Sequence, residues 1–137
     1  MQKIDLVDYR DFVETVTSEP SNHNELLLDR LQVLMNNDVG VNVALLLTAS
    51  LGLSAESGEF TEIVKKIIFQ GKPLNEDNVR HLILESSDII WYWVNACRAL
   101  NIDPYKVLEM NMQKLQSRYP GGKFDSYFSE NRQEGDI

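Results

Sequence analysis

Cysteine is almost absent. Cys97 stands alone, so no disulfide can form within the chain, and a reducing, cytoplasmic setting is expected. Long apolar runs are absent too: nothing approaches the roughly 18 uninterrupted apolar residues of a membrane span. Residues 1–10 carry Asp5 and Asp8 and lack the apolar run of a signal peptide. Positive charge is in short supply, with 13 Lys+Arg against 21 Asp+Glu and a net charge of -8. That balance argues against a nucleic-acid partner held on a basic surface and leaves small charge-neutralising partners such as metal ions open. There is no Gly-x-x-x-x-Gly-Lys-Ser/Thr phosphate loop. The two histidines, with Ser54 and Ser57, suggest no hydrolase triad. Sustained strand alternation is missing, and so is any internal repeat of about 20–50 residues.

What remains is helical pattern with clear punctuation. The apolar residues, 43% of the chain, come in periodic runs, and 137 residues suit a single domain with a real core. Asp5 caps a first helix reaching Ser18, which Pro20 and Ser21 break. Asn22 with Glu25 reads as a capping-box variant opening a second helix to about Asn36. Asn36, Asn37, Asp38 and Gly40 make a turn. A long helix follows from about Val41 to Phe69, ended by Gly71 and Pro73. Asn75 starts a fourth helix, reaching about Leu100. Asp103 before Pro104 opens a last helix to about Arg118, and Pro120-Gly121-Gly122 closes it. The expectation is an all-α, four- to five-helix bundle of antiparallel helices in one domain, 1–137. Its core spans about 22–120, and 123–137 form a polar tail.

The informative anomaly is acid where a core belongs. At about 100° per residue, Leu45, Ala49, Leu53, Phe60, Ile63 and Ile67 share one stripe of the third helix. Glu56 lies near its centre and Glu59 about 60° away. On the fourth helix Leu82, Ile89, Tyr92 and Ala96 form a stripe with Glu85 inside it and Asp88 at its edge. Burying unpaired carboxylates costs several kcal/mol each, and neighbours of like charge make it worse. Two escapes exist, pairing with Lys or Arg and binding a divalent cation. Bases on these stripes are scarce: His81 lies at one edge, while Lys66 sits about two turns beyond Glu59. Oxygen-only ligands suit a hard ion, Mg²⁺ or Mn²⁺. A di-iron centre would want Glu-x-x-His, and neither histidine supplies it: Pro20 stands three before His23, Asn78 three before His81. The plain alternative is that a Glu-x-x-Glu pair is a solvated helix face. Two such pairs, both on apolar stripes of consecutive antiparallel helices, favour metal.

Asn111, Lys114 and Arg118 share one face of the last helix. Such a face is ordinarily solvated, but beside a metal site it makes a phosphate clamp. Lys65, Lys66 and Lys72 read as surface charges, Cys97 as a buried structural thiol, and Trp91, Tyr92 and Trp93 as core. Ile83, Leu84, Ile90, Trp91, Val94 and Cys97 make the fourth helix apolar on the flanks away from its acids. A helix apolar nearly all round is buried nearly all round, so an oligomer is expected, a homodimer or homotetramer.

These residues resemble the MazG-like all-α nucleoside triphosphate pyrophosphohydrolases. The likeness rests on Gly52-Leu53-Ser54-Ala55-Glu56-Ser57-Gly58-Glu59-Phe60 with Ile63-Val64-Lys65-Lys66, then on Glu85-Ser86-Ser87-Asp88-Ile89-Ile90-Trp91-Tyr92. It ends on Asn111-x-x-Lys114-Leu115-x-x-Arg118-Tyr119-Pro120-Gly121-Gly122-Lys123-Phe124, so that it covers about residues 41–124. The short single-module form is similar to small members of the family, including those of bacteriophages, for which the setting is the host cytoplasm. The resemblance implies Mg²⁺-dependent hydrolysis of a (deoxy)nucleoside triphosphate to monophosphate and pyrophosphate. It implies Glu56, Glu59, Glu85 and Asp88 as metal ligands, Lys114 and Arg118 as phosphate contacts, and Asn111 beside the substrate. Where the family usually has acidic or small residues between the last two ligands, this chain has Ser86 and Ser87. Before Leu45 no base-pocket motif is matched. Two other readings stand beside this one: a phosphoribosyl-ATP pyrophosphohydrolase, and a non-catalytic helical interaction module whose acids pair across an interface.

Overall fold

The computed structural model describes residues 5–131, which hold seven helices and no strand. They fall into two compact units, Met1–Val43 and Ala44–Ile137. In the first unit α1 (Leu6–Val16) starts where Asp5 accepts a hydrogen bond from the Val7 backbone N–H. A single helical turn, α2 (Glu19–Asn22), carries Pro20 in its first turn, where the missing N–H costs nothing. The third helix, α3, is Asn24–Met35. The expected capping box at Asn22 does not form. His23 occupies the cap position without capping α3 through its side chain, which lies instead 3.2 Å from the Glu19 carboxylate, and the Asn22 amide donates backward to the carbonyls of Glu14 and Thr17. The breaker Pro20 thus sits inside a turn of its own, which moves the next helix cap one residue on, from Asn22 to His23.

The second unit positions the acids. It contains α4 (Val43–Phe69) from its second residue on, α5 (Glu76–Ala99), α6 (Pro104–Arg118) and the short α7 (Ser126–Glu130). Asn75 caps α5 by accepting from the Asn78 N–H, and Asp103 caps α6 by accepting from the Tyr105 N–H, as their sequence positions require. Gly71, at φ +70°, turns the chain between α4 and α5, and the Asn78 amide ties that turn down through the Pro73 carbonyl at 2.7 Å. Beyond α6 the polar stretch is not featureless. Asp125 accepts from the Tyr127 N–H and starts α7. Residues 132–137, the end of the expected tail, lie outside the described residues.

The antiparallel pairing of α4 and α5 is visible in its register. A Cβ built on Gly52 would collide with the ring carbons of Tyr92. Seven residues further along α4 stands Glu59, and seven residues back along α5 stands Glu85, its neighbour across the pair. The apolar stripe of α4 (Leu45, Ala49, Leu53, Phe60, Ile63, Ile67) is buried or half-buried throughout, with half-buried Glu56 in its middle. On α5 the stripe is Leu82, Ile89, Tyr92 and Ala96, with Glu85 buried among them. The opposite flank of α5 is a different matter. Ile83, Ile90 and Trp91 are exposed within the protomer, so the all-round burial expected of this helix is not met by the single chain.

Candidate metal centre

Three of the four expected acids converge. Glu56, Glu59 and Glu85 each bring a carboxylate oxygen to within 4.8 Å of the other two. The i,i+3 spacing sets the α4 pair on one side of the helix, and the register at Gly52 and Tyr92 brings Glu85 opposite them. Burial is graded: Glu85 is 7% exposed, Glu56 half-buried and Glu59 exposed. Asp88 is exposed and stands outside the trio, yet its charge reaches Glu56. The Glu56 carboxyl is pushed above its ordinary range, first by partial desolvation and then by Glu59, Asp88 and Glu85.

Compensating cations are few. His81 Nε2 lies 3.0 Å from Glu85 Oε1, one turn away on α5, and is half-exposed. Among the described residues no Lys or Arg forms an ion pair with Glu56, Glu59, Glu85 or Asp88. The nearby lysines are used elsewhere: Lys65 and Lys66 both bind Glu62, one turn past Glu59, and hold that carboxyl below its ordinary range. Ser86 and Ser87 turn back on α5, donating to the carbonyls of Leu82 and Leu84, so they leave the acids undisturbed. Three close carboxylates with all-oxygen donors and one histidine suit a hard divalent cation such as Mg²⁺ or Mn²⁺.

The α6 residues are arranged differently. Asn111 lines a separate cavity of about 380 Å³ with Leu115, Tyr119 and Phe124, the last two with ring centroids 5.8 Å apart. Lys114 and Arg118 line neither that cavity nor the one beside the acids. The cavity beside the acids, about 320 Å³, takes in Glu59 and Glu85 together with Lys66, Lys72 and His81. Sequence reasoning read Lys66 and Lys72 as plain surface charges. The signal that relates them to the acids is the i,i+7 step from Glu59 to Lys66, which returns to the same helix face after two turns.

Among known proteins the chain is similar to the Gene 37 protein of Mycobacterium phage L5, with 32% identity over 74 residues. The match covers 53% of this chain and 65% of that protein, so the chain spans less than two thirds of its relative's length. No family profile matches the chain, and no solved structure matches it.

Proposed function

We propose that this chain is a divalent-metal-dependent nucleoside triphosphate pyrophosphohydrolase of the MazG-like all-α type. The observation that carries the reading is the convergence of Glu56, Glu59 and Glu85, one of them buried, with no Lys or Arg ion pair to them among the described residues. Holding three carboxylates together against a single half-exposed histidine is unfavourable, and a cation would remove that repulsion. Glu56, Glu59 and Glu85 would hold the ion, with Asp88 joining them from the edge. When bound, such a cation supplies positive charge against the polyphosphate and makes water more acidic. The chain's own residues do the rest. The carboxylates orient water toward the α–β anhydride, and splitting that bond yields monophosphate and pyrophosphate. Glu56, whose charge is opposed by Glu59, Asp88 and Glu85, would be relieved of that repulsion by a bound cation. Lys114 and Arg118 contribute phosphate contacts, and Asn111 lies toward the rest of the nucleotide.

The active form is a homodimer or homotetramer closed over α5. Ile83, Ile90 and Trp91, at 62%, 58% and 57% exposure, leave an apolar flank that water would otherwise cover. Among the described residues no helix is long and apolar enough to cross a membrane, so that flank is assigned to protein contact. The same flank supports the competing reading of a helical interaction module. A titration of Mg²⁺ or Mn²⁺ followed by thermal unfolding separates the two, since only a true site raises the melting temperature by mass action. The direct test is a panel of nucleoside triphosphates, phosphoribosyl-ATP included, incubated with Mg²⁺ and scored for pyrophosphate against orthophosphate.

A further inference from the structure

The cavity beside the carboxylates is charged unequally along its length. Glu59 and Glu85 at one end belong to the candidate metal centre, while Lys66 and Lys72 stand toward the α4–α5 connection. Seven residues separate Glu59 from Lys66, about 10 Å along the helix axis at 1.5 Å per residue. The two lysines are held together by the backbone: the Lys72 N–H donates to the Lys66 carbonyl at 3.1 Å, in the turn set by Gly71. His81, one turn nearer the connection than Glu85, adds a third nitrogen to the wall.

These nitrogens are not equally engaged. Lys66 Nζ lies 3.3 Å from Glu62, which it shares with Lys65. Glu62 lines the cavity as well and offsets the charge of Lys66. Lys72 is not offset in this way: it is half-buried, yet its side chain makes no hydrogen bond or ion pair among the described residues. A lysine in a cavity wall with no carboxylate partner is available to an anion. The wall has no Phe, Tyr or Trp ring to stack a base, and the imidazole of His81 is engaged with Glu85, which leaves phosphate oxygens as the fitting chemistry.

We propose that this basic end binds the outer two phosphates of the substrate and retains them as pyrophosphate, with Lys72 as the principal anchor and Lys66 beside it. The inference rests on the reading of the carboxylates as a metal centre for triphosphate hydrolysis. In that arrangement the α-phosphate lies by the acids, and the leaving group extends toward the α4–α5 connection. Lys114 and Arg118 are then not the sole phosphate contacts.

The test uses the full chain and inorganic pyrophosphate with Mg²⁺, followed by calorimetric titration and by product inhibition of turnover. Lys72→Gln is expected to weaken pyrophosphate binding about ten- to hundred-fold, the value of one charge-assisted contact, with Lys72→Arg restoring most of it. Binding of a nucleoside monophosphate and stabilisation by Mn²⁺ should stay as in the wild type, which also shows that the variant is folded. Lys65→Gln, outside the cavity, serves as the control and should leave pyrophosphate binding within about twofold on the same scale. If Lys72→Gln binds pyrophosphate as tightly as the wild type while the wild type hydrolyses triphosphates, the anchor assignment is overturned and the metal-centre reading stands. A wild-type protein that binds no pyrophosphate in Mg²⁺ also overturns the assignment. If that protein gains no stability from Mn²⁺ either, the metal-centre reading falls with it.

Discussion

Glu56 is the residue at which the chemistry can be read most directly. Its carboxyl is raised above the ordinary value of 4.5 by partial desolvation and by three acidic neighbours. The folded chain therefore holds this proton more tightly than the unfolded chain does. The resulting stability is fully present below the ordinary value and is lost as pH rises through the raised one, so at neutral pH ionised Glu56 works against the metal-free fold. Glu56→Gln should accordingly raise the metal-free melting temperature at pH 7, with the gain fading below pH 4.5, where the wild-type carboxyl is protonated anyway. The same variant, or Asp88→Asn, should abolish turnover at saturating Mg²⁺ while circular dichroism stays unchanged. Near-wild-type activity in either would remove the four-acid assignment. On α6, Lys114→Ala and Arg118→Ala should each lower kcat/KM about ten- to hundred-fold through one lost charge-assisted phosphate contact. Their Mn²⁺ stabilisation, measured without nucleotide, should be retained; an equal loss of both would mean that these residues hold the ion rather than the phosphates.

At the scale of elements, the α4–α5 pair depends on a close approach at Gly52. No side chain fits there without displacing the Tyr92 ring, which is itself packed edge-on against Trp91 at 4.7 Å. Gly52→Ala gains about 1 kcal/mol of helix propensity but forces overpacking, which typically costs about 1–3 kcal/mol. The expected result is a lower melting temperature and a weaker Mn²⁺ response, because spreading the helices separates Glu85 from the α4 acids. Adding Tyr92→Leu should restore part of both. A Gly52→Ala protein with unchanged metal response would show that the site does not depend on this approach. The pair also shows what a sequence can and cannot reveal. Asp5, Asn75 and Asp103 cap the helices they were expected to cap, because a cap is a contact between residues two or three apart. The acids on the apolar stripes were legible for the same reason, since helical periodicity is local. The meeting of Gly52 with Tyr92 depends on packing between helices, which local patterns do not specify, whereas the i,i+4 pairing of Glu62 with Lys66 is local and within reach of the sequence. Asn22 illustrates the limit from the other side. Its side chain is a competent cap, but the carbonyls of Glu14 and Thr17 compete for it.

For the whole molecule the open question is what covers α5. Its inner stripe is filled by α4, and its outer flank exposes Ile83, Ile90 and Trp91. An exposed position makes a cleaner probe than half-buried Val94, because a charge placed there burdens the assembly and not the protomer. Ile90→Asp should therefore leave helical content intact, shift sedimentation toward the monomer and lower turnover with it. A wild-type protein that sediments as a fully active monomer would contradict the interface and leave the metal chemistry standing. The central claim, a metal centre that splits triphosphates into monophosphate and pyrophosphate, has one most direct measurement: phosphorus NMR of a nucleoside triphosphate mixture during incubation with the wild-type chain and Mg²⁺, beside Glu56→Gln. The account predicts monophosphate and pyrophosphate signals growing in equal amounts with the wild type and none with the variant. Orthophosphate as the initial product, or equal turnover by both proteins, would contradict it.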